Sequence, residues 1–263
     1  IEEIRQRLQR QPHIKTNAIL YLTNPSSPRH KLYKHFVDKP GPLKHIYRSK
    51  TKDNKFLPPE YENNLRANMA PREAQRMLDG EWIEIDSERI YYEYKDANYI
   101  RKDYTINPHL PVSISFDFNI GLGKPMSCVL SQYDVRSDTF HFFDEIVIHG
   151  SRTLDVLEDL ANRGYLDKGY GWEIHGDATG GARSTNSKYS NYEIIDQFLA
   201  NYKPKTQHKL NYRLCIPTSN PPIKKRHNIV NAYCLNANKV SRLFVYEKCK
   251  VLDEGMRLTA LKK

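Results

Sequence analysis

The sequence predicts an α/β protein whose main body is a mixed β-sheet flanked by helices. Three apolar segments of strand length, 112–118, 126–133 and 139–148, are joined by short turns at Gly121-Leu-Gly123-Lys124 and Arg136-Ser-Asp138, which describes an antiparallel meander. Beyond them, helix-like and strand-like segments alternate, the pattern of a sheet continued with parallel strands. Before Pro111 the pattern differs, with helices and polar connections predominating.

Residues 1–10 (IEEIRQRLQR) set Ile and Leu at helical spacing among charges, and the helix stops before Pro12. Ala18-Ile-Leu-Tyr-Leu22 reads as a buried strand ending in the Thr23-Asn24-Pro25-Ser-Ser-Pro28 loop, and His30–Val37 resumes a helical pattern. Residues 38–56 form an exposed connection with one candidate strand at Lys44–Ser49. Pro58-Pro59-Glu60 starts a helix over Glu60–Met69, and a second after Pro71 runs to Gly80. Ile90–Tyr94 is strand-like, and the polar stretch Lys95–Leu110, with Asn107-Pro108, marks a domain junction. After the meander come a helix at Thr153–Gly164 with Leu154, Leu157, Leu160 and Ala161 on one face, a strand at Trp172–His175 and a helix at 192–202. A strand at Arg213–Pro217, a helix at Asn228–Ala237 with inner face Ile229, Val230 and Tyr233, a strand at Arg242–Tyr246 and a helix from Cys249 follow. The order βββαβαβαβα is that of the RNase H-like fold, in which the first and fourth strands lie side by side.

Bulk properties bound the partners. A length of 263 residues suits one or two domains with a real core. Forty-one Lys and Arg against 31 Asp and Glu, a formal net charge of +10, favour an acidic partner, nucleic acid first. The four cysteines, Cys128, Cys215, Cys234 and Cys249, lack zinc-site spacing and read as buried reduced thiols of a cytosolic protein. No apolar stretch approaches the roughly 20 residues that span a bilayer. The chain opens at Ile1 in a charged helical pattern rather than a signal peptide, and reads as a fragment or a processed chain. No G-x-x-x-x-G-K-[ST] loop for ATP and no G-x-S-x-G elbow is present.

The chemistry centres on two strand-end aspartates, Asp117 and Asp177. Hard divalent cations take carboxylate oxygen, and a sheet holds such ligands side by side, so Mg²⁺ or Mn²⁺, as two ions, is the expected cofactor. Taken singly, each aspartate also fits a turn-capping role; fold order makes them a pair. Glu145 and Asp253 are candidate accessory acids, each also readable as a solvated carboxylate, and His175 is expected in the core or behind the ligands. Arg183 and Lys188, in the small-residue loop after Asp177, and Lys224, Lys225 and Arg226 are candidate DNA-phosphate contacts.

Together these segments resemble the large terminase subunit of tailed bacteriophages and prophages, the motor-nuclease that packages DNA. The resemblance is carried by Leu20-Tyr-Leu-Thr23-Asn24-Pro25 with His30 and Tyr33, Gly80-Glu81-Trp82, Phe116-Asp117-Phe118-Asn119, Gly176-Asp177-Ala178, Arg226-His-Asn228-Ile-Val-Asn231-Ala, Leu243-Phe-Val and Cys249-Lys250. It implies that 1–57 is the end of an ATPase domain with Thr23-Asn24-Pro25 as its coupling motif. It further implies a linker over 58–106 and an RNase H-like nuclease over 107–263. The family's ATP-binding motifs would lie upstream of Ile1, and its third acid would fall beyond Lys263, supplied by the continuing chain or by another polypeptide.

The implied activity is two-metal cleavage of concatemeric double-stranded DNA in the host bacterial cytoplasm. The implied partners are a small terminase subunit and a portal protein, on which the chain would sit as a homo-oligomer, with no membrane. Two other readings stand beside it: a resolvase or integrase-type RNase H-like enzyme, and a non-catalytic DNA-binding or assembly fragment.

Overall fold

The computed structural model describes residues 18–84, 89–118, 124–182, 188–206 and 209–261. They fall into two compact units, 18–55 with 75–84, and 56–74 with the described residues from 89 onward. The helix expected at 1–10, and Asn119 with the turn at Gly121–Gly123, lie outside the described residues.

In the first unit, helix α1 (Lys31–Phe36) is capped by His30, whose Nδ1 accepts the Leu32 N–H. Trp82 packs against the rings of His30 and Tyr33, with centroids 6.1 and 5.4 Å away. Gly80 makes the turn that brings it there. Its φ is +67°, and a Cβ would stand 3.1 Å from the Ser49 carbonyl oxygen, so the position favours glycine twice over. The strands expected at 18–22 and 44–49 do not form; Leu20 and Leu22 are 78% and 86% exposed. An apolar run becomes a strand only beside a ladder that takes its N–H and C=O groups, and none of the described strands pairs with either segment.

In the second unit, the helical pair is α2 (Tyr61–Ala67) and α3 (Pro71–Met77), the latter running on into the first unit. The sheet strands are β1 (Tyr99–Ile100), β2 (Val112–Asp117), β3 (Pro125–Asp134), β4 (Thr139–His149), β5 (Gly171–His175), β6 (Asn211–Cys215) and β7 (Leu243–Tyr246). Their spatial order is β1-β7-β4-β3-β2-β5-β6. In the meander, β3 runs antiparallel to both β2 and β4; β5 runs parallel beside β2, with β6 parallel beyond it. This is the RNase H-like arrangement, extended by β7 and β1 outside β4.

Alternation decides the faces. Val112, Ile114 and Phe116 of β2, with Met126, Cys128 and Leu130 of β3, are buried on one side. Helices α4 (Thr153–Asn162) and α5 (Asn191–Asn201) complete that core with Val156, Leu157, Leu160, Ile195 and Leu199. Ser190 starts α5 with a reciprocal cap, its Oγ accepting the Glu193 N–H while Glu193 accepts the Ser190 N–H. The opposite face is covered over β4 and β7 by α6 (Ile223–Cys234) and α7 (Lys250–Leu258), around Tyr94, Cys234, Leu243, Val245 and Met256.

Two expectations fail here for one reason. Ile90–Tyr94 is not a strand, and β1 lies in the stretch read as a polar connection. Buried Asn231 accepts the Glu93 N–H and donates to the carbonyls of Ile90 and His227. Asn98, also buried, donates to the carbonyls of Cys234 and Leu243 and so seats β1 beside β7. Amide side chains thus take the place of a ladder. The inner face of α6 is accordingly Asn231, Ala232 and Cys234, whereas Ile229, expected inside, is 47% exposed. Gln132 similarly binds Asn107 through both its N–H and carbonyl, fixing that connection to β3.

At the β3–β4 turn, Asp138 has a φ of +51° and accepts from Tyr133, Tyr233 and Arg242. Burial opposes its charge, but those three donors outweigh it and hold its pKa below the usual 3.8. A depressed folded-state pKa gives stability that is present above that ordinary value and lost as pH falls through the depressed one. Asp138→Asn should therefore lower Tm at neutral pH, with the gap from the parent closing in acid, as measured by thermal melts across pH. Replacing Asn231 with Ala should cost about 2–3 kcal/mol in urea unfolding, because the backbone groups of Glu93 and Ile90 lose their partner.

Candidate functional site

The site is built by register. Between β2 and β5 the last paired residues are Ser115 and His175. Two residues further on, Asp117, opposite Ser127 of β3, is the final residue of β2, and Asp177 follows β5 by the same step. Alternation puts Ser113, Ser115 and Asp117 on one face with Glu173, His175 and, across the edge strand, Arg213 and Cys215. The face is the one that α6 and α7 cover only over β4 and β7, and Ser115, Asp117 and Arg213 are exposed on it.

A ring holds the two aspartate segments together. Phe118, next after Asp117, is buried and fills the space over Gly176 and Gly180. A Cβ on either glycine would lie 2.4 or 2.3 Å from its Cε2. The Phe118 ring also stacks on Phe116 and meets Tyr192 edge-on at 5.1 Å. The Tyr192 hydroxyl donates to the Asp177 carbonyl at 3.1 Å. Burial, then the Asp177 charge, push the Tyr192 phenol up to about 12.

Asp177 also performs the turn-capping role. Its Oδ1 accepts from the N–H groups of Thr179 and Gly180 and from the Thr179 hydroxyl, opening the short 3-10 turn Ala178–Gly181. No described hydrogen bond falls on its Oδ2. The Ala178 N–H donates to Asn220 Oδ1 at 3.0 Å. That bond ties the Asp177 loop to the segment from which α6 starts, a link unsignalled in the sequence except by Asn220-Pro-Pro, a turn former ahead of a helix.

The remaining candidates divide. Lys224, Lys225 and Arg226 are exposed on the first turn of α6, where Lys224 and Lys225 edge a groove toward Met69 and Glu73. Asn228 Nδ2 donates to Glu73 Oε1 at 2.8 Å across it. Lys188 is exposed beside Tyr189, and Arg183 lies outside the described residues. Glu145 faces the same side of the sheet, but both its oxygens accept N–H groups at the start of α7, from Val251 at 2.6 Å and Leu252 at 2.8 Å. Asp253 accepts from the Tyr94 hydroxyl and from Arg257. His175 is not in the core: its side chain is 40% exposed, 3.7 Å from Glu173. Thr23, Asn24 and Pro25 lie in irregular chain, with the Thr23 hydroxyl bonded to the Asn24 carbonyl.

Among the described residues no group of three or more His, Cys, Asp or Glu side chains is arranged to hold a metal ion. A Mg²⁺ ion needs less, commonly one or two carboxylates with waters and substrate phosphate. The exposed Asp117 and the second oxygen of Asp177 fit that requirement. No described helix is long and apolar enough to cross a membrane.

The strand order and pairing define an RNase H-like α/β fold. A family model described as "Terminase large subunit, T4likevirus-type, N-terminal" matches residues 3–95. The large terminase of a thermophilic bacteriophage, in complex with ATP-gamma-S, aligns over 100% of this chain and 60% of its own, with 12% identity and a TM-score of 0.59. Another crystal structure of that terminase gives 98% and 59%, 13% identity and a TM-score of 0.57. The P22 large terminase nuclease domain aligns over 65% of this chain and 79% of its own, with 11% identity and a TM-score of 0.47. None of the curated proteins matches the chain. Residues 3–95 thus match the terminase large-subunit family model, and the chain spans about 60% of the length of the thermophilic phage protein it resembles.

Gly180→Ala should cost about 1–3 kcal/mol in urea unfolding, since its Cβ has no room beside Phe118. Pairing it with Phe118→Leu should recover part of that loss, and a double-mutant cycle measures the coupling.

Proposed function

We propose that this chain carries the DNA-cutting half of a phage packaging enzyme, a divalent-metal-dependent endonuclease acting on concatemeric double-stranded DNA. The single observation that supports it is the β2–β5 register, whose last pair, Ser115 and His175, stands two residues before Asp117 and Asp177 on neighbouring strands. On this reading the nuclease is 107–263 and 58–106 is the linker. Residues 1–57 are then the end of an ATPase domain, with Thr23, Asn24 and Pro25 as its coupling motif.

Asp117 and Asp177 would hold Mg²⁺ or Mn²⁺, as two ions. Bound there, the metal supplies Lewis acidity at the phosphate and a water of lowered pKa. The chain's own residues do the rest. The Thr179 and Gly180 donors fix Asp177 Oδ1 and so orient Oδ2, while the Phe118 ring, next to Asp117, packs against Gly176 and Gly180 on either side of Asp177. Lys188, Lys224, Lys225 and Arg226 would neutralise phosphates without reading bases, which makes affinity fall with salt. Small-subunit and portal partners, assembly on the portal and action in the host cytoplasm belong to the same reading.

Asp117→Asn should reduce Mg²⁺- or Mn²⁺-dependent plasmid nicking by at least about a hundredfold while duplex binding is retained. Full nicking by that variant sinks the assignment. A second reading, a non-catalytic DNA-binding or assembly fragment, draws support from the lack of a three-ligand group among the described residues. Retained DNA binding with no nicking by the parent chain in Mn²⁺ would favour it.

A further inference from the structure

The open face carries a charge pair that neither the acids nor the fold requires. Glu173 of β5 and Arg213 of β6 are register partners, and Arg213 Nη2 meets Glu173 Oε1 at 2.6 Å. The Arg213 side chain is 71% exposed. A surface pair of this kind contributes little to stability, so stability does not explain it. Placement does. This half-face carries the acids Asp117 and Glu173 with His175 between them, and Arg213 is the only Lys or Arg among the described residues of β2, β3, β5 and β6 that share it. A polyanion laid across these strands toward Asp117 and Asp177 meets a strand-borne cation at Arg213.

We infer that Arg213, aimed by Glu173, anchors a backbone phosphate of the DNA strand being cut, and so sets how that strand runs across β5 and β6. The inference rests on the nuclease reading and deepens it. Glu173 stands four residues before Asp177, about 13 Å along an extended strand at ~3.3 Å per residue. The anchored phosphate is therefore a few positions along the strand from the scissile one, not the scissile one itself. Arg213 then acts on binding, and the chemical step is left to the acids. The guanidinium suits the task, since Nη2 alone holds Glu173 and the planar fork has further N–H donors for phosphate oxygens.

The test measures duplex affinity against salt for the full chain carrying Asp117→Asn, with and without Arg213→Ala, Arg213→Gln and Arg213→Lys. Losing one phosphate contact should flatten the slope of log affinity against log salt by about 0.9. Arg213→Ala and Arg213→Gln should show that flattening with unchanged Tm, while Arg213→Lys keeps most of the parent slope. With Asp117 intact, the same two variants should raise KM about three- to tenfold and leave kcat within about twofold. An unchanged salt slope in folded Arg213→Gln overturns the anchor while leaving the nuclease reading intact if the Asp117 parent still nicks. A parent chain that neither binds nor nicks DNA overturns both.

Discussion

The structure depends on one aromatic ring. Phe118 sits at the end of β2 and is received by Gly176 and Gly180 at the end of β5, with Tyr192 of α5 closing the edge. The β2–β5 ladder ends at Ser115 and His175, so beyond it no strand pairing holds the two aspartates near one another. Packing of Phe118 on Gly176 and Gly180 joins the two segments there instead. Glycine is needed on both sides of Asp177 because the ring occupies the volume of their absent side chains. The ring thereby joins two segments that are remote in sequence.

The second organising device is the amide side chain that binds backbone. Asn231, Asn98 and Gln132 each satisfy main-chain groups of a segment that has no ladder of its own. Asn236 repeats the motif, donating to the Ala67 carbonyl while accepting from Asn238 and Val240. Buried amides are costly when unpaired and specific when fully paired. They hold α2 and the segment before β1 against α6 and β7.

These devices explain what is legible in the sequence. The meander and the alternating strands and helices from Val112 onward follow from period-two burial and are readable as such, along with the adjacency of β2 and β5. The segments at Ala18–Leu22, Lys44–Ser49 and Ile90–Tyr94 are not. Each carries apolar residues without a partner strand, or is held by a side chain whose target lies more than a hundred residues away, as with Asn231 and Glu93. In the site, strand-end position marks Asp117 and Asp177. The engagement of Glu145 with the start of α7, and the pairing of Glu173 with Arg213, depend on register and on a helix placement that no local pattern records.

The thiols carry a consequence of the same register. Cys128, Cys234 and Cys249 are buried, and desolvation raises all three, the first two to about 12, so they resist alkylation. Cys215 is the partner of His175 at the tip of β6 and is the one cysteine not buried. A maleimide dye would thus mark the sheet edge next to the acids without any engineered residue. Anything that comes to lie along that edge would shield it.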